Sequence, residues 1–370
     1  MGIRGCATRE GTAAYETRMG SLAAAGHFRH LGGLGLSSLG IGTYLGREDA
    51  ATDEEYCEAV ARALGLGINV VDTAVNYRHQ RSERAIGVAL ARLIGNGTLR
   101  REEVVLATKG GFLPFDSAVP PNAGAYLTDT YVRSGILRAD EVVGGCHSLA
   151  PRYLADQLER SRANLGVDTI DIYYLHNPEM ELSEVDRPTF IRRLRAAFEA
   201  LENAVAASKI RAYGAATWTG FRQPADAPEH LALADLVAVA REVGGSRHHF
   251  AVIQLPMNLG MTEAATLANQ LVDGRPMSVL EAARLLDVYV MTSASLHQGQ
   301  LARGLPPILG EVLTGLKSDA ERALQFVRST PGVGTALVGM RQVGHVEENA
   351  RLVGTPPVSW DRFQQLFRRG

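Results

Sequence analysis

Residues 67–77 read Gly-Ile-Asn-Val-Val-Asp-Thr-Ala-Val-Asn-Tyr, a mainly apolar run that carries a carboxylate and leads to a tyrosine. The run at 68–74 has the length and the apolar composition of a strand that is buried on both faces. An amphipathic, helix-like segment follows at 81–94. Because parallel strands are joined by long crossovers, this pair predicts one strand and one helix of a parallel α/β fold.

The same strand-and-helix unit recurs along the chain. Seven more short apolar runs lie at 39–43, 104–109, 170–176, 210–216, 250–255, 288–293 and 336–339. Further helical patterns lie at 53–65, 151–165, 187–208, 230–243, 277–286, 317–329 and 344–353. Eight such units predict an α/β fold of the (β/α)8 TIM-barrel type rather than a doubly wound sheet.

The predicted barrel occupies residues 28–370 as a single domain. Residues 1–27 are polar and rich in Ala and Gly, which predicts a loosely ordered N-terminal leader. A long loop insertion at 111–147 follows the third predicted strand. Since this position lies at the carboxyl end of the barrel, we favour a lid or substrate-shaping loop over an inert excursion.

The composition argues against several classes of protein. The chain has 370 residues, with 38 Lys and Arg against 40 Asp and Glu and a net charge of −2. A nucleic-acid binder or a binder of anionic membranes would show a basic excess. No apolar run is long enough to span a membrane, and the first residues lack an export signal. Three widely spaced cysteines without a CxxC motif argue against disulfides and predict a cytoplasmic protein.

A metal site and a Rossmann-type phosphate loop are both disfavoured. Adjacent side chains in a helix or strand do not face one site, so His248 and His249 do not predict a metal centre. The glycine string that begins at Gly40 fits the end of the first predicted strand better than a phosphate loop. No lysine follows a tyrosine at the four-residue spacing that a short-chain dehydrogenase needs.

Four side chains near the predicted strand ends are candidates for acid–base chemistry: Asp72, Tyr77, Lys109 and His176. Each alone has a structural explanation, as a cap, a packing ring, a paired cation or a buried histidine. Together at one end of a barrel they indicate a catalytic site. A buried Lys109 beside Tyr77 is expected to lower the pKa of the phenol, and Asp72 is expected to hold the lysine. His176 is expected to orient a carbonyl oxygen.

Lysine is rare in this chain, where Lys109, Lys209 and Lys317 are the only lysines among 38 basic residues. Coding bias explains the excess of arginine, and Lys209 and Lys317 look like surface residues. The position of Lys109 at a strand end predicts a need for a compact amine, which a guanidinium does not replace.

Three regions resemble the signatures of the aldo-keto reductases. They are 67–77 with Arg81-Ser82-Glu83, then 164–171 leading to His176, and finally 331–333, 338–341 and 346–349. In that family Asp, Tyr, Lys and His form a catalytic tetrad, which corresponds here to Asp72, Tyr77, Lys109 and His176. The resemblance implies an NAD(P)H-dependent oxidoreductase that reduces a ketone or aldehyde to an alcohol, or the reverse, with Tyr77 as general acid and base.

The resemblance also implies NADPH (NADP) as the cofactor, with NAD as an alternative, and it places cofactor contacts at strand ends. These positions are Thr43, Thr217, Gln254, Ser293, Ser295, Leu296, Gly299, Gly339, Met340, Arg341, His345, Glu348 and Asn349. Arg341 is the candidate for the 2′-phosphate, with an ordinary surface arginine as the alternative. Two positions depart from the family pattern: Ala216-Thr217 replaces Ser-Asn, and Ser293 replaces the tyrosine that stacks under the nicotinamide. Both predict a weaker or differently placed nicotinamide.

Two other functions stay open on the sequence. One is a non-redox lyase or dehydratase that uses the same groups for proton transfer, and the other is a nucleotide-sensing binding subunit. The expected partner is a small-molecule carbonyl or alcohol, without nucleic acid, membrane or metal. No oligomeric state is predicted.

Overall fold

In the computed structural model, which describes residues 2–366, eight parallel strands close into a barrel. The strands are β1 (Leu39–Gly42), β2 (Val70–Asp72), β3 (Val105–Gly110), β4 (Ile170–His176), β5 (Ile210–Ala216), β6 (Phe250–Pro256), β7 (Tyr289–Ser293) and β8 (Thr335–Gly339). Each strand pairs with the next along the chain, and β8 pairs with β1. The predicted (β/α)8 barrel is confirmed.

A helix follows each strand. These helices are α1 (Ala50–Gly65), α2 (Arg81–Gly95), α3 (Pro151–Leu165), α4 (Arg187–Ala206), α5 (Leu233–Gly244), α6 (Val279–Leu285), α7 (Asp319–Ser329) and α8 (Val343–Ala350). The first of them has an N-cap: the Asp49 carboxylate accepts a 2.8 Å hydrogen bond from the Thr52 amide at the start of α1. Across residues 2–366, none of the helices is both long and apolar enough to cross a membrane.

The strand residues alternate between the barrel interior and the helix layer. In β3, Val105 and Ala107 pack in the interior with Val70 of β2, whereas Leu106 packs toward the helices. Side chains two residues apart share a face of a strand. Lys109 therefore continues the interior row of β3 at the carboxyl end of the barrel.

The N-terminal segment differs from the loosely ordered leader that its composition predicts. It contains a helix, Arg9–Met19, followed by a hairpin of Phe28–Leu31 with Leu34–Ser37. Tyr15 is fully buried, and its hydroxyl donates a 2.6 Å hydrogen bond to the Leu64 carbonyl. A few large buried side chains therefore anchor a segment whose overall composition is polar. Met1 of this segment and residues 367–370 of the predicted domain lie outside the described residues.

The insertion at 111–147 has a small core of its own above β3. It contains two adjoining helical segments, Ala123–Leu127 and the π-helix Thr128–Arg133. Buried Leu113, Tyr131 and Leu137 pack against Tyr153 of α3. Its two ends are joined by a bridge between Phe112 and His147, which holds Phe112 at the barrel mouth.

Candidate active site

Strand alternation directs four polar side chains into the carboxyl end of the barrel. Asp72, Lys109, His176 and Gln254 lie on β2, β3, β4 and β6, each two residues after an interior apolar residue of its strand. Because all eight strands are parallel, their carboxyl ends meet at one mouth. The barrel therefore collects residues that are far apart in the sequence.

Lys109 forms a buried ion pair with Asp72. Its Nζ donates to Asp72 Oδ2 at 2.7 Å and to the Thr73 carbonyl at 2.7 Å. The other carboxylate oxygen of Asp72 accepts a 2.8 Å hydrogen bond from Gln254 Nε2. Burial alone would lower the pKa of Lys109, but the Asp72 carboxylate, together with Tyr77, outweighs this effect and raises that pKa above its usual value. Lys109 is therefore a cation at neutral pH.

Tyr77 lies in the loop after β2 and faces this cation. The Lys109 Nζ is 4.9 Å from the centre of the Tyr77 ring. Burial raises the pKa of the Tyr77 phenol above its usual value, and the Lys109 charge opposes that rise without cancelling it. The expectation of a lowered phenol pKa is therefore not met: Lys109 acts in that direction, but desolvation is the larger effect. The phenol is accordingly protonated at neutral pH and is able to donate a proton.

His176, at the end of β4, adds an imidazole to the group. Its ring lies 5.8 Å from the Tyr77 ring and 4.9 Å from the Phe112 ring, edge-on to both. Burial, with the nearby Lys109 charge, holds the pKa of His176 well below its usual range. Nδ1 of His176 is buried and has no hydrogen-bond partner among residues 2–366. A neutral imidazole in this position can offer a hydrogen bond to a ligand oxygen.

An acidic side chain of α1 holds the loop that carries Tyr77. Arg78, His79 and Gln80 have positive φ angles of 48°, 53° and 72°, a conformation that non-glycine residues rarely adopt. Asp53 accepts a 2.6 Å hydrogen bond from the buried Arg78 guanidinium, and it also pairs with Arg81. These ion pairs oppose relaxation of the strained turn that follows Tyr77.

The remaining predicted positions follow the ends of the strands around the mouth. Three hold buried polar atoms without a hydrogen-bond partner in the described part of the chain: Thr217 Oγ1, Ser295 Oγ and Asn349 Oδ1. Thr43 instead donates to the Thr73 hydroxyl at 2.9 Å, and Met340 is fully buried in the main core.

The other predicted positions are more open. An added Cβ at Gly339 would meet no atom within 4 Å, and Gly299 has a φ of 87°. His345 is exposed, whereas Ser293, Leu296 and Glu348 are half-buried. Arg341 forms an ion pair with Glu55.

The chain as a whole matches a known family. Residues 33–366 fit the model of the Aldo/keto reductase family. The chain belongs to the aldo/keto reductase family. That match spans the entire barrel and all four residues at its carboxyl end.

Two curated relatives named as reductases match this aldo/keto reductase over about half of their length. The chain is 28% identical over 197 residues to the 6-dehydroglucose reductase of Novosphingobium aromaticivorans, a match that covers 52% of each protein. It is 30% identical over 189 residues to the NADH-specific methylglyoxal reductase of Escherichia coli, a match that covers 49% of this chain and 48% of that protein. The chain thus spans about half the length of these relatives.

Solved structures share the fold over nearly the whole chain. An aldo/keto reductase from Klebsiella pneumoniae in complex with NADP and acetate has a TM-score of 0.62 and 22% identity, and the match covers 92% of this chain and 94% of that one. The glycerol dehydrogenase of Gluconobacter oxydans has a TM-score of 0.63 and 20% identity, with 93% and 94% covered. At this identity, the likeness shows a common fold.

The donor and acceptor set at the mouth of this aldo/keto reductase fits a nicotinamide dinucleotide. Such a ligand carries ribose hydroxyls, phosphate oxygens and a carboxamide, which need neutral hydrogen-bonding partners at several separate points. The unpartnered oxygens of Thr217, Ser295 and Asn349 supply such partners on the loops after β5 and β7 and on α8. No group of His, Cys, Asp or Glu within residues 2–366 is arranged to hold a metal ion.

Three further residues shape the site and were missed among the site residues predicted from sequence. Tyr44, which is largely exposed, packs edge-on against Tyr77 with 5.0 Å between ring centres. Phe112 packs against His176 from the insertion. Glu179 is buried and accepts hydrogen bonds from the amides of residues 218–220 at 2.7–3.3 Å, which organises the loop after β5. Tyr44 and Phe112 come two residues after the ends of β1 and β3, and this position could have marked them as site residues. Glu179 lies in no recognisable motif.

Proposed function

We propose that this aldo/keto reductase is an NAD(P)H-dependent oxidoreductase that reduces a ketone or aldehyde to an alcohol, or catalyses the reverse reaction. The observation that carries the proposal is the buried Asp72–Lys109 pair beside a protonated Tyr77 and a neutral His176. Relatives named for the reduction of 6-dehydroglucose and methylglyoxal, and a structural neighbour with bound NADP, support the same chemistry.

In this proposal the residues at the mouth handle the proton and the carbonyl oxygen. A bound nicotinamide dinucleotide supplies the hydride for the carbonyl carbon. Tyr77 donates its phenolic proton to the carbonyl oxygen, and Lys109 stabilises the phenolate that remains. His176 donates a hydrogen bond to the same oxygen and thereby fixes its position. In the oxidative direction, the Tyr77 phenolate accepts the proton of the alcohol.

The proposal includes the cofactor contacts that the family resemblance implies. Thr217, Gln254 and Ser293 would lie nearest the nicotinamide, since they sit at the carboxyl ends of β5, β6 and β7 beside the tetrad. Ser295, Leu296 and Gly299 would contact the pyrophosphate. The adenosine end would contact Gly339, Met340, Arg341, His345, Glu348 and Asn349. Thr43 would act behind Asp72, since its hydroxyl is already bonded to Thr73.

The substrate would be a small molecule with an apolar or ring-like flank. The aromatic rings of Tyr44 and Phe112 border Tyr77 and His176, and Phe112 comes from the insertion, to which we assign a substrate-shaping function. A cytoplasmic location is also part of the proposal, because Cys6, Cys57 and Cys146 are free thiols of a kind that persist in reducing compartments.

The test is turnover by the purified protein with NADPH or NADH and a panel of aldehydes and ketones. Tyr77→Phe should lower kcat about 10²- to 10⁴-fold, because it removes the general acid, and leave the Kd for the dinucleotide nearly unchanged. Unchanged turnover in Tyr77→Phe contradicts the proposal. Dinucleotide binding without turnover of any carbonyl would favour a sensing subunit, and activity that requires no dinucleotide would favour a lyase or dehydratase.

A further inference from the structure

Arg341, the residue that the family resemblance assigns to a 2′-phosphate, already has a partner in this protein. Its Nε lies 3.0 Å from Oε2 of Glu55 on α1. The arginine side chain lies against the loop after β1, where an added Cβ at Gly46 would be 3.5 Å from Cδ of Arg341. A second ion pair, between Arg62 of α1 and Glu347 of α8 at 2.8 Å, joins the same two parts of the chain. Both side chains are more than a third exposed, at 36% and 41%, so Glu55 offsets the positive charge of Arg341 in part.

The Glu55 carboxylate also has an unused hydrogen-bonding capacity. Oε2 of Glu55 is buried and accepts no hydrogen bond from the described residues, since the contact with Arg341 lacks hydrogen-bond geometry. The Glu55 side chain as a whole is 41% exposed, so its carboxylate is able to accept a hydrogen bond from a ribose 2′-hydroxyl. A 2′-phosphate carries about −1.5 to −2 charge and only acceptor oxygens, so it would be repelled by the same carboxylate.

We infer that Glu55 is a specificity-determining residue that allows NADH to bind at least as tightly as NADPH. This inference rests on the proposed dinucleotide function, because it assumes that the adenosine ribose lies between Arg341 and α1. Glu55 then accepts a hydrogen bond from the 2′-hydroxyl of NADH, and it weakens the attraction of Arg341 for the 2′-phosphate of NADPH. In other dinucleotide sites, an acidic side chain that binds the ribose 2′-hydroxyl favours NAD, and an arginine that binds the 2′-phosphate favours NADP.

The experiment is fluorescence titration of the full chain with NADH and with NADPH in the same buffer. Wild type should bind NADH with a Kd equal to or below that of NADPH. Glu55→Gln should lower the Kd for NADPH about tenfold, because it removes the repulsion and frees Arg341, and should leave the Kd for NADH unchanged or somewhat higher. Calorimetric titration with AMP and 2′-phospho-AMP should give the same shift, which places the effect at the adenosine end.

Glu58→Gln is the matched control, since Glu58 lies on the same helix and pairs with Arg92 instead. It should leave both Kd values unchanged. Glu55→Ala, with melting temperatures for all variants, separates a charge effect from a change in stability. The inference is overturned if wild type binds NADPH more tightly than NADH, or if neither Glu55 variant changes the ratio of the two Kd values. Failure of wild type to bind either dinucleotide would instead overturn the proposed function on which the inference rests.

Discussion

The two halves of the barrel mouth differ in the charge of their polar groups and in how the charged ones are satisfied, although neutral atoms such as His176 Nδ1 lack a partner in both. On the tetrad side, Lys109 and Asp72 are charged and bonded to each other, and Gln254 and Thr73 complete the set. On the side formed by the loops after β5 and β7 and by α8, buried oxygens of Thr217, Ser295 and Asn349 have no partner within residues 2–366.

The difference follows from the cost of burial. A buried charge must be paired within the chain, because an isolated ion in a protein interior costs far more free energy than an isolated neutral hydroxyl or amide. The charged half is therefore assembled before any ligand binds. The neutral half can leave hydrogen-bonding capacity open at modest cost, and it is where we place the dinucleotide.

The largest expected effect on kcat in this comparison comes from a substitution of Lys109, which lies in the half of the mouth where the charges are paired. Lys109→Arg should lower kcat by more than about 10²-fold, because a planar guanidinium in a fully buried site overpacks the interior and displaces the charge from Tyr77. Turnover and melting temperature are measured together. Lys209→Arg is the matched control: Lys209 is 41% exposed and pairs with Glu159 on the surface, so the same exchange should leave kcat unchanged. Near-normal turnover in Lys109→Arg would show that the compact amine is not required.

A smaller loss should follow from loosening the turn after Tyr77. Asp53→Asn leaves the buried Arg78 cation without its carboxylate, and three residues in left-handed conformation are then free to relax. We expect kcat to fall about tenfold with the dinucleotide Kd unchanged, since small displacements of a catalytic group are costly. Glu54→Gln, at the neighbouring exposed position, should have no effect on kcat. A drop in dinucleotide affinity without a drop in kcat would assign Asp53 to the other half of the mouth.

The sequence predicted the side chains that local patterns place, and it missed contacts that join separate parts of the chain. The eight apolar runs and the alternation of side chains along them place Asp72, Lys109 and His176 in one interior, so the fold and the meeting of these three side chains were predictable from local patterns. The ion pair that holds the turn after Tyr77 was not predictable, because Asp53 and Arg78 join α1 to a loop that no local period describes. The N-terminal helix was missed for a related reason: a few buried side chains such as Tyr15 decide its packing, and the composition of the segment hides them.

The pH dependence of reduction tests the electrostatics of the assembled half. Tyr77 has a pKa raised by burial, and His176 has a pKa lowered by burial, so the phenol stays protonated and the imidazole stays neutral through the neutral range. The rate of carbonyl reduction should be flat from about pH 6 to 9 and fall only where the phenol ionises. Alcohol oxidation needs the phenolate, so its rate should rise with pH. A reduction profile that changes between pH 6 and 8 would indicate that a histidine of ordinary pKa controls the step.

The smallest effect is expected in the open half, where Ser293 replaces the tyrosine of the family pattern at the end of β7. Ser293→Tyr should lower the Kd for NADPH and NADH about three- to tenfold, because an aromatic pair contributes about 0.5–1.5 kcal/mol beyond its buried area. Fluorescence titration measures the change, and Ser293→Leu is the control that adds apolar bulk without a ring. An equal decrease of the Kd in Ser293→Leu would mean that added apolar surface, and not aromatic stacking, strengthens binding. If tyrosine instead weakens binding, the half of the mouth that we describe as open has no room beside β7, and the nicotinamide must be held in another way.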